Sequence, residues 1–86
     1  MAGGELKCKV LFFAAAAQAM ECREKVITLQ VGTTLGDAFD VLKNECKQLA
    51  ILGPSCALAV DGQLTQKNVK LHDGCTIAIL PPVSGG

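Results

Sequence analysis

The 86 residues suffice for one small domain, and half of them are apolar, so a single core is feasible. A chain of this size buries only about 60–65% of the surface its unfolded form exposes. Eight basic residues balance eight acidic ones, which excludes the basic excess of a general nucleic-acid binder.

Residues 1–4 read as a disordered lead-in. Lys7 to Phe13 reads as a strand: Cys8, Val10 and Phe12 share one face, and Lys7, Lys9, Leu11 and Phe13 the other. Lys7 and Lys9 ahead of Val10–Ala17, closing on Ala17-Gln18-Ala19, imitate a secretory signal. The imitation fails: the apolar segment is at the short end, Glu5 stands in the basic region, and cleavage would cost the domain a strand. The segment is also far too short to span a membrane, and Ala2 offers no myristoylation site.

Ala14 to Met20 has the propensity of a short helix. Lys25 to Val31 is a second strand, with Ile27, Leu29 and Val31 on one side, and Gly32 ends it. Thr34 then caps a helix, with Asp37 at the reciprocal position. Leu35, Ala38, Phe39, Leu42, Cys46 and Leu49 form a single helical stripe that should cover one face of a sheet. Gly53-Pro54 stops further helix. Ala57 to Val60 is a short strand and Asp61-Gly62 a turn; Gln63 to Leu71 is a polar edge strand plus loop. His72-Asp73-Gly74 turns into the last strand, Cys75 to Leu80, and His72 reads as a surface turn residue. The order implies one α+β domain over residues 1–86, a helix packed on one face of a sheet.

The first and last strands are the most apolar, so they should be central. With Val10, Phe12, Ile77 and Ile79 turned to the helix, Leu11, Phe13, Ala78 and Leu80 share the opposite face. No second helical layer is available to cover it, and an uncovered apolar patch marks a partner surface.

The patch lies beside the root of the chain's end, Pro81-Pro82-Val83-Ser84-Gly85-Gly86. Proline has no N–H for a sheet and fixes φ, so the pair stops the strand and holds the chain extended. Two final glycines make the end thin and permissive, and four extended residues reach roughly 13 Å. This describes a carboxylate on a slim arm, able to enter a narrow site on another protein. The competing reading is a frayed glycine-rich terminus, or a cloning remnant.

The five cysteines, Cys8, Cys22, Cys46, Cys56 and Cys75, are odd in number and lack C-x-x-C spacing. His72 is the single histidine, so neither a zinc site nor a disulfide framework is indicated. They read as reduced, mostly buried thiols in a reducing compartment, the cytoplasm. There is no phosphate-cradling G-x-x-x-x-G-K-[ST], no Ser/His/Asp set and no paired carboxylates in a cleft. No catalytic residue and no metal ligand is assigned.

Lys9-Val10-Leu11-Phe12-Phe13-Ala14, Leu71-His72-Asp73-Gly74 and Ile77-Ala78-Ile79-Leu80-Pro81-Pro82-Val83-Ser84-Gly85-Gly86 together resemble the small subunit of molybdopterin synthase. The alanine-rich stretch 14–19 is plainer than that family's pattern, and Leu80 stands where an aromatic is common. The resemblance implies a ubiquitin-like β-grasp fold with a mixed sheet. It also implies a sulfur carrier in molybdenum cofactor biosynthesis: a non-catalytic, sulfur-donating subunit with no cofactor of its own. An ATP-using partner resembling ubiquitin-activating enzymes, an adenylyltransferase and sulfurtransferase, would adenylate Gly86. A sulfur donor would then displace AMP to leave a thiocarboxylate. The tail, Pro81 to Gly86, would enter the large subunit of a heterotetramer and deliver sulfur to cyclic pyranopterin monophosphate. Leu11, Phe13, Ala78 and Leu80 would dock the domain. No nucleic acid or membrane partner is implied. The alternatives are a ubiquitin-like sulfur carrier for thiazole synthesis or tRNA thiolation, and a protein modifier joined to lysines through Gly86. Other sulfur carriers share the glycine pair but generally not the proline pair.

Overall fold

The computed structural model describes residues 4–82. Strand β1 (Glu5–Phe12) buries Leu6, Cys8, Val10 and Phe12 and turns Lys7 and Lys9 to solvent, the period of two that an extended chain imposes. It begins earlier than the sequence suggests. The Gly4 carbonyl, assigned to the disordered lead-in, accepts the Val31 N–H at 3.1 Å; the rest of that lead-in lies outside the described residues. Helix α1 (Ala14–Met20) follows at once because Ala14 takes a left-handed φ of 50° and bends the chain off the strand. That conformation costs an alanine roughly 1–2 kcal/mol. The Phe13 carbonyl helps offset it by accepting both the Ala16 and the Ala17 N–H, at 2.9 and 3.4 Å.

Strand β2 (Glu24–Gln30) runs antiparallel to β1 and buries Ile27 and Leu29. Val31, which alternation places on the same side as Ile27 and Leu29, is 61% exposed. It lies beyond the last ladder pair, where the Gly32 turn (φ 97°) takes the chain off the sheet. Helix α2 (Leu35–Glu45) opens on the expected capping box: Asp37 N–H donates to Thr34 Oγ1 at 3.2 Å, and Thr34 N–H donates to Asp37 Oδ2 at 3.5 Å. Its stripe buries Leu35, Ala38, Phe39 and Leu42.

The stripe predicts one helix through Leu49, and here the chain departs from it. Cys46 is extended (φ −142°, ψ 108°) and separates α2 from α3 (Lys47–Leu52). Neither Gly nor Pro forces the break. Tertiary packing does, overriding a weak local propensity: α3 packs on both α1 and α2, Leu49 becomes fully buried, and the Cys46 thiol donates to the Ala19 carbonyl near the end of α1 (3.3 Å).

A single 3₁₀ turn at Gly53–Ser55 leads into β3 (Ala57–Val60). Asp61 and Gly62 both have positive φ, 52° and 84°, the hairpin geometry that an Asp-Gly pair favours. They connect β3 to β4 (Gln63–Leu64), the short edge strand. The loop after β4 lies on the first turn of α2. Gly36 N–H donates to the Lys67 carbonyl at 2.8 Å, and a Cβ on Gly36 would sit 3.1 Å from Lys67 Cβ. Gly74 (φ 82°) closes the last turn before β5 (Thr76–Leu80).

The sheet order is β2-β1-β5-β3-β4, with β1 and β5 parallel at the centre and every other pair antiparallel. Ala16, Leu35, Phe39, Leu42 and Leu49 join the inward residues of the strands in one core. The helices therefore cover one face of a mixed sheet, the ubiquitin-like β-grasp arrangement, and the first and last strands are central as their composition predicts.

Candidate functional site

Strand β5 is gripped from both sides. Its inward residues, Ile77 and Ile79, are buried between β1 and β3. The ladder ends at Leu80, where the prolines begin; Pro81 is buried and Pro82 exposed. The Phe13 N–H donates to the Ile79 carbonyl at 3.3 Å, so the corner between β1 and α1 closes against this end of the strand. Val83, Ser84, Gly85 and Gly86 lie outside the described residues.

The register assembles the face opposite the helices. Leu11 pairs with Ala78, Ala78 with Ala59, and Ala59 with Leu64. One apolar row thus crosses four strands, and the Leu80–Ala57 pair lies beside it at the root of the tail. Three of the four expected interface residues, Leu11, Ala78 and Leu80, are half-buried, while Phe13 just past the strand end is 44% exposed. Sequence reasoning missed Ala57, Ala59 and Leu64. Their alternation was visible, but only the pairing with β5 shows that they share a face with Ala78. An open groove of about 840 Å³ adjoins the row through Leu11 and Phe13, with Ala17, Gln18, Cys22 and Arg23 among its walls.

His72 is an exposed turn residue, as expected, but it has a partner that the sequence did not suggest. Its Nε2 lies 2.7 Å from Asp61 Oδ2 and its Nδ1 lies 3.0 Å from the Asp73 carbonyl. Only the doubly protonated ring donates to both oxygens. The Asp61 carboxylate and the Asp73 carbonyl accordingly raise the His72 pKa above its ordinary value. The Thr76 N–H, donating to Asp61 Oδ1 at 2.9 Å, is the largest cause of a lowered Asp61 pKa, with His72 next. Asp73 Oδ1 accepts the Lys7 N–H at 2.8 Å. These bonds fasten the entrance of β5 to its neighbours.

All five cysteines are free; Cys8 and Cys75 are buried, and Cys22, Cys46 and Cys56 are partly so. Burial raises the Cys56 thiol pKa against the opposing pull of Lys43 and Lys67. Alternation keeps Cys8 away from the side chains of Lys7 and Lys9, which point to the other face. Among the described residues, no helix is long and apolar enough to cross a membrane, and no group of three or more His, Cys, Asp or Glu side chains gathers to hold a metal ion.

Known proteins share this arrangement. The chain resembles the putative molybdopterin converting factor subunit 1 from Pyrococcus furiosus at 24% identity and TM-score 0.82, over 91% of this chain and 99% of that one. Its fold also matches SAMP1 from Haloferax volcanii at 24% identity and TM-score 0.82, over 93% of this chain and 99% of that one. A third likeness is to a chain in the complex of subunits 1 and 2 of the molybdopterin-converting factor from Helicobacter pylori, at 27% identity and TM-score 0.67, covering 94% of this chain and 100% of that one. The model of the ThiS family matches residues 10–86, from the middle of β1 through the final glycine. With the strand-to-proline junction, the glycine pair and all but the first half of β1 inside that match, the chain belongs to the ThiS family of ubiquitin-like sulfur carriers.

Proposed function

We propose that this carrier is the small subunit of a molybdopterin synthase and that Gly86 is its sulfur-bearing residue. A carboxylate is a poor electrophile, so the Gly86 carboxyl must first gain a leaving group. An activating partner joins it to AMP from ATP, releasing pyrophosphate. A sulfur donor then displaces AMP and leaves a thiocarboxylate. The observation that carries the reading is the apolar row Leu11–Ala78–Ala59–Leu64, which no helix covers and which runs beside the root of the tail. A large subunit docked on that row, with Phe13 and Leu80 at its margin, would receive the tail directly. The proline pair and the likeness to a subunit 1 seen in complex with its subunit 2 favour this pathway over thiazole synthesis or tRNA thiolation. Within the arm, Pro81 and Pro82 aim the chain, Val83 and Ser84 extend it, and Gly85 passes where a side chain would not. ATP belongs to the activating partner, and the domain binds no cofactor of its own.

The likeness to SAMP1, a small archaeal modifier protein, supports a second reading, a modifier joined to lysines through Gly86. One experiment separates the two. The chain is incubated with ATP, its activating enzyme and a sulfur donor, and the C-terminal peptide is weighed. Replacement of one oxygen by one sulfur on Gly86, with transfer to a pterin when the large subunit is added, supports the carrier. Sulfur on a cysteine with Gly86 untouched overturns it, and isopeptide adducts on other proteins favour the modifier.

A further inference from the structure

Two of the five cysteines, 67 positions apart in sequence, touch inside the fold. Cys8 on β1 and Cys75 at the entrance to β5 are both fully buried, and their sulfurs lie 3.2 Å apart. The parallel register explains the meeting: Lys9 pairs with Thr76, so the preceding residues are neighbours on the inward face. The Lys9 N–H donates to the Cys75 carbonyl at 3.0 Å and holds them level. No C-x-x-C spacing announces the pair. Among the described residues, no other two cysteine sulfurs are in hydrogen-bond contact; the Cys46 and Cys56 thiols each donate to a backbone carbonyl instead.

The two thiols form a short hydrogen-bonded chain. The Cys75 thiol donates to Cys8 Sγ, and the Cys8 thiol donates to the His72 carbonyl at 3.7 Å. Burial, reinforced by the Cys75 thiol, pushes the Cys8 pKa up to about 12. The Cys8 thiol therefore stays protonated, and unreactive, while it is buried. The His72–Gly74 turn lies against the pair, its His72 carbonyl accepting from the Cys8 thiol. That turn is held by Lys7 N–H to Asp73 Oδ1 (2.8 Å), by Gly74 N–H to the Lys7 carbonyl (2.8 Å), and by the His72 ring on Asp61. The side-chain bonds of this set are solvent-exposed, and exposed bonds of this kind open locally at little free-energy cost compared with the core.

We propose that Cys8 and Cys75 form an oxidisable dithiol, a modification site at which a small disulfide closes a covalent bond between β1 and β5 when the His72–Gly74 turn opens. One thiol loses its proton, and its thiolate attacks a sulfur of the disulfide RSSR, expelling RS⁻. The second protein thiolate attacks the protein sulfur of that mixed disulfide and expels the other RS⁻. Two protein thiols and one RSSR thus give one protein disulfide and two RSH; the protein is oxidised and RSSR reduced. The sulfurs must close from 3.2 Å to about 2.05 Å. The product ties the first strand to the strand that leads into the tail. It leaves Gly86 chemistry untouched and stands independently of the pathway assignment.

The test uses the full chain, reduced and desalted, then incubated with oxidised glutathione. Intact mass and non-reducing peptide mapping are followed with time. The expected product is lighter by two hydrogens, links the Cys8 peptide to the Cys75 peptide, and reverts with dithiothreitol. It should form several-fold faster in His72→Ala and in Asp61→Asn, each of which loosens the turn without touching a thiol. An unchanged mass overturns the proposal. So does a disulfide mapped to another pair, or glutathione adducts confined to Cys22, Cys46 or Cys56. A cross-link whose rate ignores both variants overturns the gating by the turn.

Discussion

Phe12 and Phe13 are adjacent in sequence and opposite in role, so truncating each in turn tests the assignment of faces. Phe12 is 3% exposed and pairs with Ile79 in the sheet, while Phe13 is 44% exposed. Phe12→Ala removes a fully buried ring and leaves a cavity, at a cost of about 3–5 kcal/mol. At about 0.05–0.15 kcal/mol per residue, an 86-residue chain has roughly 4–13 kcal/mol to lose. Each 1 kcal/mol moves the midpoint of a domain this size by about 4–8 °C, so Phe12→Ala should lower Tm by at least about 12 °C. Phe13 buries only about half its surface, and full burial of a phenylalanine is worth about 1.5–3 kcal/mol. Phe13→Ala should therefore cost roughly 1 kcal/mol; its backbone bond to Ile79 survives the change. Phe13→Glu should keep the fold but weaken capture of the large partner, because a desolvated charge at the docking margin costs several kcal/mol. Thermal melts by circular dichroism and titration calorimetry against that partner measure the two effects. Equal losses of Tm for Phe12→Ala and Phe13→Ala, with partner affinity spared in Phe13→Glu, would refute the assignment.

Thr34→Ala deletes the acceptor for the Asp37 N–H and should cost about 1 kcal/mol by urea denaturation, with Thr34→Ser restoring most of it. The His72–Asp61 pair should stabilise within a window of pH. The raised His72 pKa gives a contribution present below the ordinary 6.5 and lost as pH rises through the folded value. The lowered Asp61 pKa gives one present above 3.8 and lost as pH falls. The difference in urea midpoint between the wild type and His72→Ala should accordingly peak between those values, and a difference that grows on the alkaline side contradicts the pairing. Inserting one glycine between Ser84 and Gly85 moves the carboxyl by about 3.5 Å, as far as reacting atoms can stand apart. Sulfur transfer should fall while partner capture, read by co-elution, stays unchanged.

Most of the fold was legible because its signals are local. Period-two alternation set the inward faces of β1 and β5, Thr34 and Asp37 marked the start of α2, and Asp61-Gly62 marked its hairpin. Apart from Val31, which the adjacent Gly32 turn carries off the sheet, the failures are positions where distant parts of the chain decide. Cys46 breaks a helix that nothing nearby interrupts, because α3 has to lie on α1. Ala57, Ala59 and Leu64 joined the face opposite the helices only through the register with β5, and Ala59 is buried there at 5% exposure. The contact between Cys8 and Cys75, and that between His72 and Asp61, join residues whose spacing carries no motif. The candidate interface was therefore legible on the strands that flank the tail and illegible on their neighbours.

The topology also suits the role proposed for the last residue. A reactive end has to be free, yet it must leave the domain in a fixed direction if a partner is to receive it. Here the strand that supplies the end is not at an edge. It lies between β1 and β3, with Ile77 and Ile79 locked into the core and Pro81 still buried after the ladder has stopped. The direction of exit is thus set by a strand paired on both sides. From Pro82 to Gly86 the chain spans at most about 14 Å. Under the role proposed for Gly86, a receiving protein that abuts the domain at the point of exit would match this reach. The apolar row that begins beside Leu80 is where such a contact would form, and its position follows from the parallel pairing of the first strand with the last.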